Sequence, residues 1–218
     1  MMSWKIINKR ERYGFTWQGW TIFLSVILFL LIILFQLVYP FLAFSNRING
    51  DIMIVEGWLP NYALEKVVID FNSGPYKFIA TVGGPLAQGS YLAEEYNTEA
   101  ELSAAALIKI GIDPNKLYAI PTPAVESDRV YASAVEVKKW LDNSRIEIQA
   151  LDIYSLGSHS RRSWLIYQHI FNPDIEVGVV AINNKDYDSN KWWNSTLGVK
   201  TIIIETISYI YTIYFLYF

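Results

Sequence analysis

A long stretch without charged residues, from Tyr13 to Asn46, constrains this chain more than any other feature. Within it, residues 21–44 are almost wholly apolar, and about 24 residues at ~1.5 Å each cover the ~30 Å of a hydrocarbon core. The sequence therefore predicts one transmembrane helix within residues 19–45, which takes no part in a globular core. Aromatic residues flank it, as at membrane interfaces: Trp17, Trp20, Tyr39 and Phe41.

The flanking charges predict the orientation of this helix. Arg47 follows it and is soon succeeded by Asp51, whereas a basic tail precedes it (Lys5, Lys9, Arg10 and Arg12, opposed by Glu11). The positive-inside rule then places residues 1–18 in the cytoplasm and residues 46–218 outside the plasma (inner) membrane of a bacterium. A cleaved signal peptide is the alternative, although its apolar region is normally only about 7–15 residues long.

The remainder of the chain is acidic and suffices for one domain. From residue 48 onward, 13 Lys and Arg stand against 20 Asp and Glu, a formal net charge of −7. Nucleic-acid binding needs a basic face, so this charge argues against it. The chain has no Cys, which excludes an acylated lipoprotein and is compatible with an oxidising compartment.

Strand-like and helix-like segments alternate after the anchor. Repeated β-α units with apolar strands predict an α/β fold: a Rossmann-like, mainly parallel sheet of about five strands with helices on both faces. The predicted strands are 51–55, 77–82, 117–120, 146–156 and 176–182, and the predicted helices are 61–72, 98–110, 127–143 and 160–171.

The chain ends in a further predicted helix, from about Asn190, in which Glu205 is the only charge after Thr201. A helix that is hydrophobic nearly all round is not an ordinary surface helix. We expect it to pack on the sheet with its last turns at the membrane surface. A second spanning helix is the alternative, although only 13 residues follow Glu205.

Glycines and charged residues follow the first two predicted strands, at the edge where ligands bind to parallel sheets. Glu56 suits a general base or a hydroxyl ligand, and Gly57 permits a tight turn or a close backbone approach. Gly83 and Gly84 free backbone amides to hold an oxyanion.

Charged residues also open the next two predicted helices. Glu99 follows a cap at Asn97 or Thr98, and we expect its carboxylate to face inward. Asp128 and Arg129 are expected to contribute to a ligand site beyond the third strand. Their structural alternative is an Asp that favours the helix N-terminus and an Arg on the surface.

The segment between the fourth strand and the following helix carries the most informative chemistry. His159 exchanges a proton near neutral pH, and Arg162 can hold a phosphate, sulfate or carboxylate through two hydrogen bonds. The alternative is a solvated basic helix start. We predict His159, Glu99 and Glu56 as catalytic residues, and as ligand-binding residues Gly57, Gly83, Gly84, Asp128, Arg129, Ser158 and Arg162.

The sequence lacks the motifs of several common ligand-binding and catalytic sites. It contains no Gly-x-Gly-x-x-Gly after the first strand, no Walker A sequence and no Gly-x-Ser-x-Gly elbow. With two isolated His and no Cys, we predict no metal site. No cofactor is assigned.

The order of the motifs resembles the DUF218 or YdcF-like family, which includes the SanA and ElyC envelope proteins. The resemblance implies a Rossmann-like domain with a role in envelope biogenesis, and S-adenosylmethionine binding has been suggested for soluble members. Val130, Ala132 and Ser133 replace the usual Thr, Glu and Asn, which indicates a divergent branch. The likeness rests on the anchor, Gly57, Gly83-Gly84, Glu99-Ala100, the block from Asp128 to Ala134, and the His159-x-x-Arg162 spacing.

Two functions of different classes follow. In the first, the domain binds and processes an anionic, phosphate-bearing envelope precursor, such as a small anion or a lipid phosphate. In the second, it is a non-catalytic anchored scaffold with envelope protein partners, or a nucleotide-type binder like the soluble relatives. The scaffold would use aromatic side chains: Trp58, Tyr62, Tyr91, Tyr96, Trp192 and Trp193.

Overall fold

The computed structural model describes residues 15–87, 89–144 and 146–218, so the basic residues predicted to set the orientation lie outside the described residues. The chain divides into two compact units, Met1–Leu37 and Val38–Phe218. The helices are α1 (Trp17–Leu42), α2 (Asn61–Ser73), α3 (Glu99–Lys109), α4 (Arg129–Asn143), α5 (Ser160–Phe171) and α6 (Thr196–Tyr217). The strands are β1 (Ile52–Glu56), β2 (Phe78–Gly83), β3 (Leu117–Pro121), β4 (Ala150–Leu156) and β5 (Glu176–Ile182).

The first unit contains most of α1, which begins at Trp17 and ends at Leu42. Its most apolar window has a mean hydropathy of 2.9 and no buried residue. At about 1.5 Å per residue, its 26 residues exceed the thickness of a hydrocarbon core. These properties fit a single-pass anchor, and a signal sequence shares them.

The second unit is built on a five-stranded, all-parallel sheet in the order β3-β2-β1-β4-β5. β1 lies at its centre, with Ile54 opposite Ala80 of β2 and Ile153 of β4. The chain therefore extends the sheet in one direction through β2 and β3, and in the other through β4 and β5. The crevice at the carboxyl ends of β1 and β4 is the switch point where such sheets bind ligands. The predicted Rossmann-like fold is confirmed.

Alternating strand residues pack against helices on both faces of the sheet. Ile52 and Ile54 of β1 belong to a core with the apolar faces of α4 and α5. Met53 and Val55 belong to a second core with α2 and α3. The strands are apolar on both sides because both faces are covered.

Three predicted boundaries were wrong for local reasons. β4 begins at Ala150 rather than Ile146, because the ladder with β5 starts at the pair Ala150 and Glu176. α4 begins at Arg129 rather than Ser127, because Asp128 adopts a left-handed φ of 55°. The last helix begins at Thr196, after a 3₁₀ segment at Ser189–Asn194.

The end of α1 belongs to the second unit. Leu42 is buried, and the hydroxyl of Ser160 donates hydrogen bonds to the carbonyls of Leu42 (3.3 Å) and Phe44 (2.8 Å). Asn46 then forms an antiparallel bridge with Val179 of β5. The segment around residues 38–46 is thus part of the folded unit and not a free linker.

α6 packs mainly along α5 and the 3₁₀ segment at Ser189–Asn194, and Leu216 reaches the core on that face of the sheet. Ile202 is buried in a cluster with Leu42, Tyr187 and Trp192. α6 is the second described helix that is long and apolar enough to cross a membrane, and 11% of its most apolar window is buried.

Candidate functional site

A cavity of about 440 Å³ opens at the carboxyl ends of β1 and β2, at the predicted edge of the sheet. Its size lies within the range of small-molecule sites. Residues from every layer of the domain line it: Glu56, Trp58, Val82, Gly83, Gly84, Glu99, Glu126, Ser127, Asp128, Arg129, Val130, Ser133, His159, Arg162, Tyr167 and Glu205.

The predicted site residues all line this cavity except Gly57 and Ser158. A Cβ atom on Gly57 would lie 2.7 Å from the backbone carbonyl of Glu99, so this glycine lets the turn after β1 pack against the start of α3. Ser158 is buried outside the lining. Gly57 thus makes the close backbone approach that the sequence suggested, and the ligand contacts of Gly57 and Ser158 stay predictions.

Glu56, the last residue of β1, is only 5% exposed. Its carboxylate accepts hydrogen bonds from the hydroxyls of Ser155 (2.7 Å) and Ser163 (2.6 Å). These partners come from β4 and α5, and sequence reasoning missed both. They hold the carboxylate firmly, with His159 Nε2 at 3.7 Å from Oε1.

His159 is positioned by Glu205 of α6. Its Nδ1 lies 3.0 Å from Glu205 Oε1 and 3.1 Å from a terminal nitrogen of Arg162, whose Nε donates to Glu205 Oε2 (3.3 Å). A guanidinium only donates and a carboxylate only accepts. Nδ1 therefore cannot form both bonds at once: with a proton it donates to Glu205, and without one it accepts from Arg162. We assign the proton to the shorter contact, with Glu205, which leaves a lone pair on Nε2 in neutral His159.

The environment of Glu205 keeps its carboxyl group ionised. Burial alone would raise its pKa, but the hydrogen bond from His159, the charge that this imidazole carries when it is protonated, and Arg162 together outweigh burial and lower the pKa below its ordinary value. The sequence carried a usable signal here. A lone charge in an apolar helix needs a partner when it is buried.

Two buried polar atoms of the cavity lining, His159 Nε2 and Tyr167 Oη, have no hydrogen-bond partner among the described residues. Burial, and then the charge of Glu56, raises the pKa of Tyr167 well above its ordinary value, so its hydroxyl remains a donor. The rings of Trp58 and His159 pack in a T-shaped arrangement, with centroids 5.1 Å apart. Such unpaired groups are costly in a protein interior, and a ligand can satisfy them.

Glu99 is placed by a close fit between the glycine turn and α3. A Cβ atom on Gly83 would lie 2.8 Å from Glu99 Cβ, and the backbone N–H of Glu99 donates to the carbonyl of Gly84 (2.8 Å). Thr98 caps the helix together with Glu101, as one of the two predicted caps. The glycine turn therefore positions Glu99, a role beyond the predicted oxyanion contact.

Burial raises the pKa of Glu99, the charge of Glu56 raises it further, and Arg129 opposes both. Arg129 makes no salt bridge in the described part of the chain, which leaves its guanidinium available. Asp128 forms no side-chain cap of α4 and sits in a left-handed conformation that is costly for a residue with a side chain. Such conformations cluster at functional sites.

Carboxylates outnumber cations in the cavity, which the prediction of an anion site did not anticipate. Arg129 and Arg162 are its guanidinium groups, and Arg162 is already paired with Glu205. Within the described ranges, no group of three or more metal-ligating side chains is arranged around a common point. The lining carboxylates are Glu56, Glu99, Glu126, Asp128 and Glu205.

The comparisons with known proteins assign no relative. No family model matches the chain, and the search of curated proteins finds no match.

Proposed function

We propose that this chain is a membrane-anchored protein of the bacterial cell envelope that binds and processes an anionic, phosphate-bearing precursor in the cavity. One observation carries the proposal. His159 has Nδ1 held by Glu205 and an unpartnered, buried Nε2 in the cavity lining. A carboxylate that fixes one ring nitrogen of a histidine orients the other as a general base.

The two guanidinium groups would bind the phosphate oxygens. Arg129 is the freer of the two, because Glu205 occupies part of Arg162. The surplus of carboxylates favours a ligand that also offers hydroxyl groups, such as a phosphorylated sugar or polyol, since Glu56 can accept their hydrogen bonds. A cavity of about 440 Å³ suits such a headgroup.

The reaction that these groups support is transfer of a phosphoryl group to water or to a hydroxyl. His159 Nε2 takes the proton from the attacking oxygen as the new P–O bond forms and the bond to the leaving oxygen breaks. Glu99, with its raised pKa, donates a proton to the leaving oxygen. The guanidinium groups stabilise the charge on the phosphoryl oxygens.

The flanking charges of α1 and the resemblance to the DUF218 family support an extracytoplasmic position for the domain. A bacterial envelope contains phosphate-bearing lipid and glycan precursors on that side of the inner membrane. The anchor would keep the cavity near such substrates.

The test is ligand-dependent thermal stabilisation of the full chain in detergent, because Leu42 is part of the folded unit. The probes are inorganic phosphate, glycerol phosphate, a short polyprenyl phosphate, sugar nucleotides and S-adenosylmethionine. A ligand at 100 times its dissociation constant adds about 2.7 kcal/mol to the free energy of unfolding. We expect a phosphate-bearing probe to do so with wild type and much less with Arg129→Ala.

Arg161→Ala is the matched control, since Arg161 stacks on Phe41 and Phe44 and does not line the cavity. If the proteins are folded and none of the probes stabilises the wild type, the proposal is contradicted and the non-catalytic scaffold is favoured. Stabilisation by S-adenosylmethionine alone would instead identify a nucleotide-type site. Release of phosphate from the bound probe, lost in His159→Ala, would separate catalysis from binding.

A further inference from the structure

We propose that the outward face of α6 docks on the surface of a lipid bilayer. Ile203, Ile207, Ile210 and Tyr214 are 51%, 62%, 62% and 67% exposed. Their spacing of three and four residues places them on one side of the helix. A helix on a protein surface normally presents polar residues there. Here the whole stripe is apolar or aromatic, and no charged residue follows Glu205.

The opposite stripe of α6 holds the helix on the domain. Gly198, Ile202 and Thr212 are buried, and Glu205 is bound to His159 and Arg162. Crossing a membrane would strip Glu205 of both partners and bring a carboxylate into hydrocarbon, which is expensive. α6 therefore lies on the bilayer with the domain attached and does not span it.

The identity of the docking partner follows from where the anchor joins this unit. The last residues of α1 pack against α6: the rings of Phe41 and Tyr209 are 5.3 Å apart, and Leu42 shares a cluster with Ile202. The chain thus enters the folded unit beside α6, so the medium that holds the anchor is the nearest apolar phase. Exposed tyrosines such as Tyr214 suit the headgroup region.

This docking does not depend on the ligand proposed for the cavity, but it has a consequence for it. Glu205, which orients His159, lies on the same helix as the docked stripe. One wall of the cavity is therefore carried by the element that contacts lipid.

The chain has no Cys, so single cysteines can be introduced and labelled without background. We would place the full chain in lipid nanodiscs and attach an environment-sensitive fluorophore to Ile207→Cys. Ile69→Cys on α2 is the matched control, because both isoleucines are 62% exposed on helices and α2 lies on the other face of the sheet. Thermal melting of both labelled proteins verifies that they are folded.

We expect the label at position 207 to emit at shorter wavelength and to be quenched at least threefold more by lipids with a nitroxide near the headgroup than the label at 69. Iodide in the water should quench position 69 more. Equal iodide quenching at both positions would overturn the proposal. Protection from iodide without lipid quenching would overturn it in favour of a protein partner.

A series of labels at 203, 207, 210 and 214 distinguishes docking from spanning. Docking predicts the same shallow depth at all four positions. Quenching that deepens steadily to the bilayer centre along the series would overturn the proposal in favour of a second spanning helix.

Discussion

Two clusters of buried polar side chains lie in the second unit, one between β4 and α2 and the other at the carboxyl ends of the strands. They differ in how fully their hydrogen bonds are satisfied. In the first, Asp152 accepts bonds from the backbone N–H groups of Ile48 and Gly50 (2.9 Å each) and from the hydroxyl of Tyr76 (2.8 Å). We call this group the linker cluster, because it ties the segment after α1 to β4: Arg47, Asp70, Tyr76, Asp152 and Tyr154.

The second group lines the cavity and also combines carboxylates with a tyrosine and an arginine, to which it adds a histidine: Glu56, His159, Arg162, Tyr167 and Glu205. Both oxygens of Glu56 and of Glu205 have a partner, yet His159 Nε2 and Tyr167 Oη have no hydrogen-bond partner in the described structure. No side-chain atom of the linker cluster is left unpaired in this way. A satisfied polar cluster holds the fold together, whereas one with open donors and acceptors is organised for something that binds.

The largest effect should come from Asp152→Ala in the linker cluster. Three donors lose their acceptor, at about 1–3 kcal/mol each for buried groups, so we expect the free energy of unfolding to fall by about 3 kcal/mol or more. Urea denaturation of the full chain in detergent measures it. Asp152→Asn keeps an acceptor oxygen, so its free energy of unfolding should fall clearly less. Equal stability of Asp152→Ala and wild type would contradict the structural role of Asp152.

His159→Ala should show the opposite emphasis, with a large loss of turnover and a smaller loss of stability than Asp152→Ala, because only the bond to Glu205 is removed. Removal of a general base typically costs about 10²–10⁴-fold in rate. Turnover is followed as phosphate released from the probe that stabilises the protein. The other histidine, His169, is exposed on α5, and His169→Ala should leave turnover unchanged. Equal losses in the two variants would contradict the role of His159.

A pair of buried tyrosines sharpens the contrast. Tyr167→Phe removes a hydroxyl without a partner, so stability should stay constant or rise slightly, while ligand affinity falls by about 3–10-fold for one lost hydrogen bond. Tyr76→Phe removes the bond to Asp152 and should lower stability by about 1–2 kcal/mol without touching affinity. Calorimetry measures the stability of the two variants, and ligand titration measures their affinity. A loss of stability in Tyr167→Phe together with a loss of affinity in Tyr76→Phe would refute the comparison.

The smallest expected effects are those of pH on stability. Two carboxyl groups of the cavity, Glu205 and Glu99, should change the stability in opposite directions as the pH rises. The pKa of Glu205 is lowered in the fold, so its ionised form stabilises the protein above the ordinary value of 4.5, and this is lost as the pH falls through the folded pKa. The pKa of Glu99 is raised, chiefly by burial, so its stabilising contribution is present below 4.5 and is lost as the pH rises.

Unfolding at pH 7 should therefore become easier in Glu205→Gln and harder in Glu99→Gln. Stability measured between pH 3 and pH 8 gives the two slopes. A loss of stability on removing the Glu99 charge would show that Arg129 outweighs its burial.

Local patterns in the chain were enough to predict the parallel sheet and most of its helices. α5 begins at Ser160 and β5 spans Glu176–Ile182, both as predicted, because apolar periodicity and turn residues act over a few neighbours. β4 was predicted four residues too long, since Ile146 and Ile148 are apolar yet lie outside the ladder. Propensity does not show where a neighbouring strand stops.

The residues of the cavity also divide into those that the sequence predicted and those that only the structure revealed. Glu56, Glu99 and His159 were predicted because parallel strands bring their carboxyl ends to one edge, a rule that needs only strand order along the chain. Tyr167 and Glu205 reach the same place from α5 and α6, and Ser155 and Ser163 reach Glu56 from β4 and α5. Of these four, only Glu205 has a local signal, as the lone charge in an apolar helix. Hydrogen bonds between residues that are far apart in the chain exist only after the helices have packed, so only tertiary structure decides which polar atoms are satisfied and which remain open.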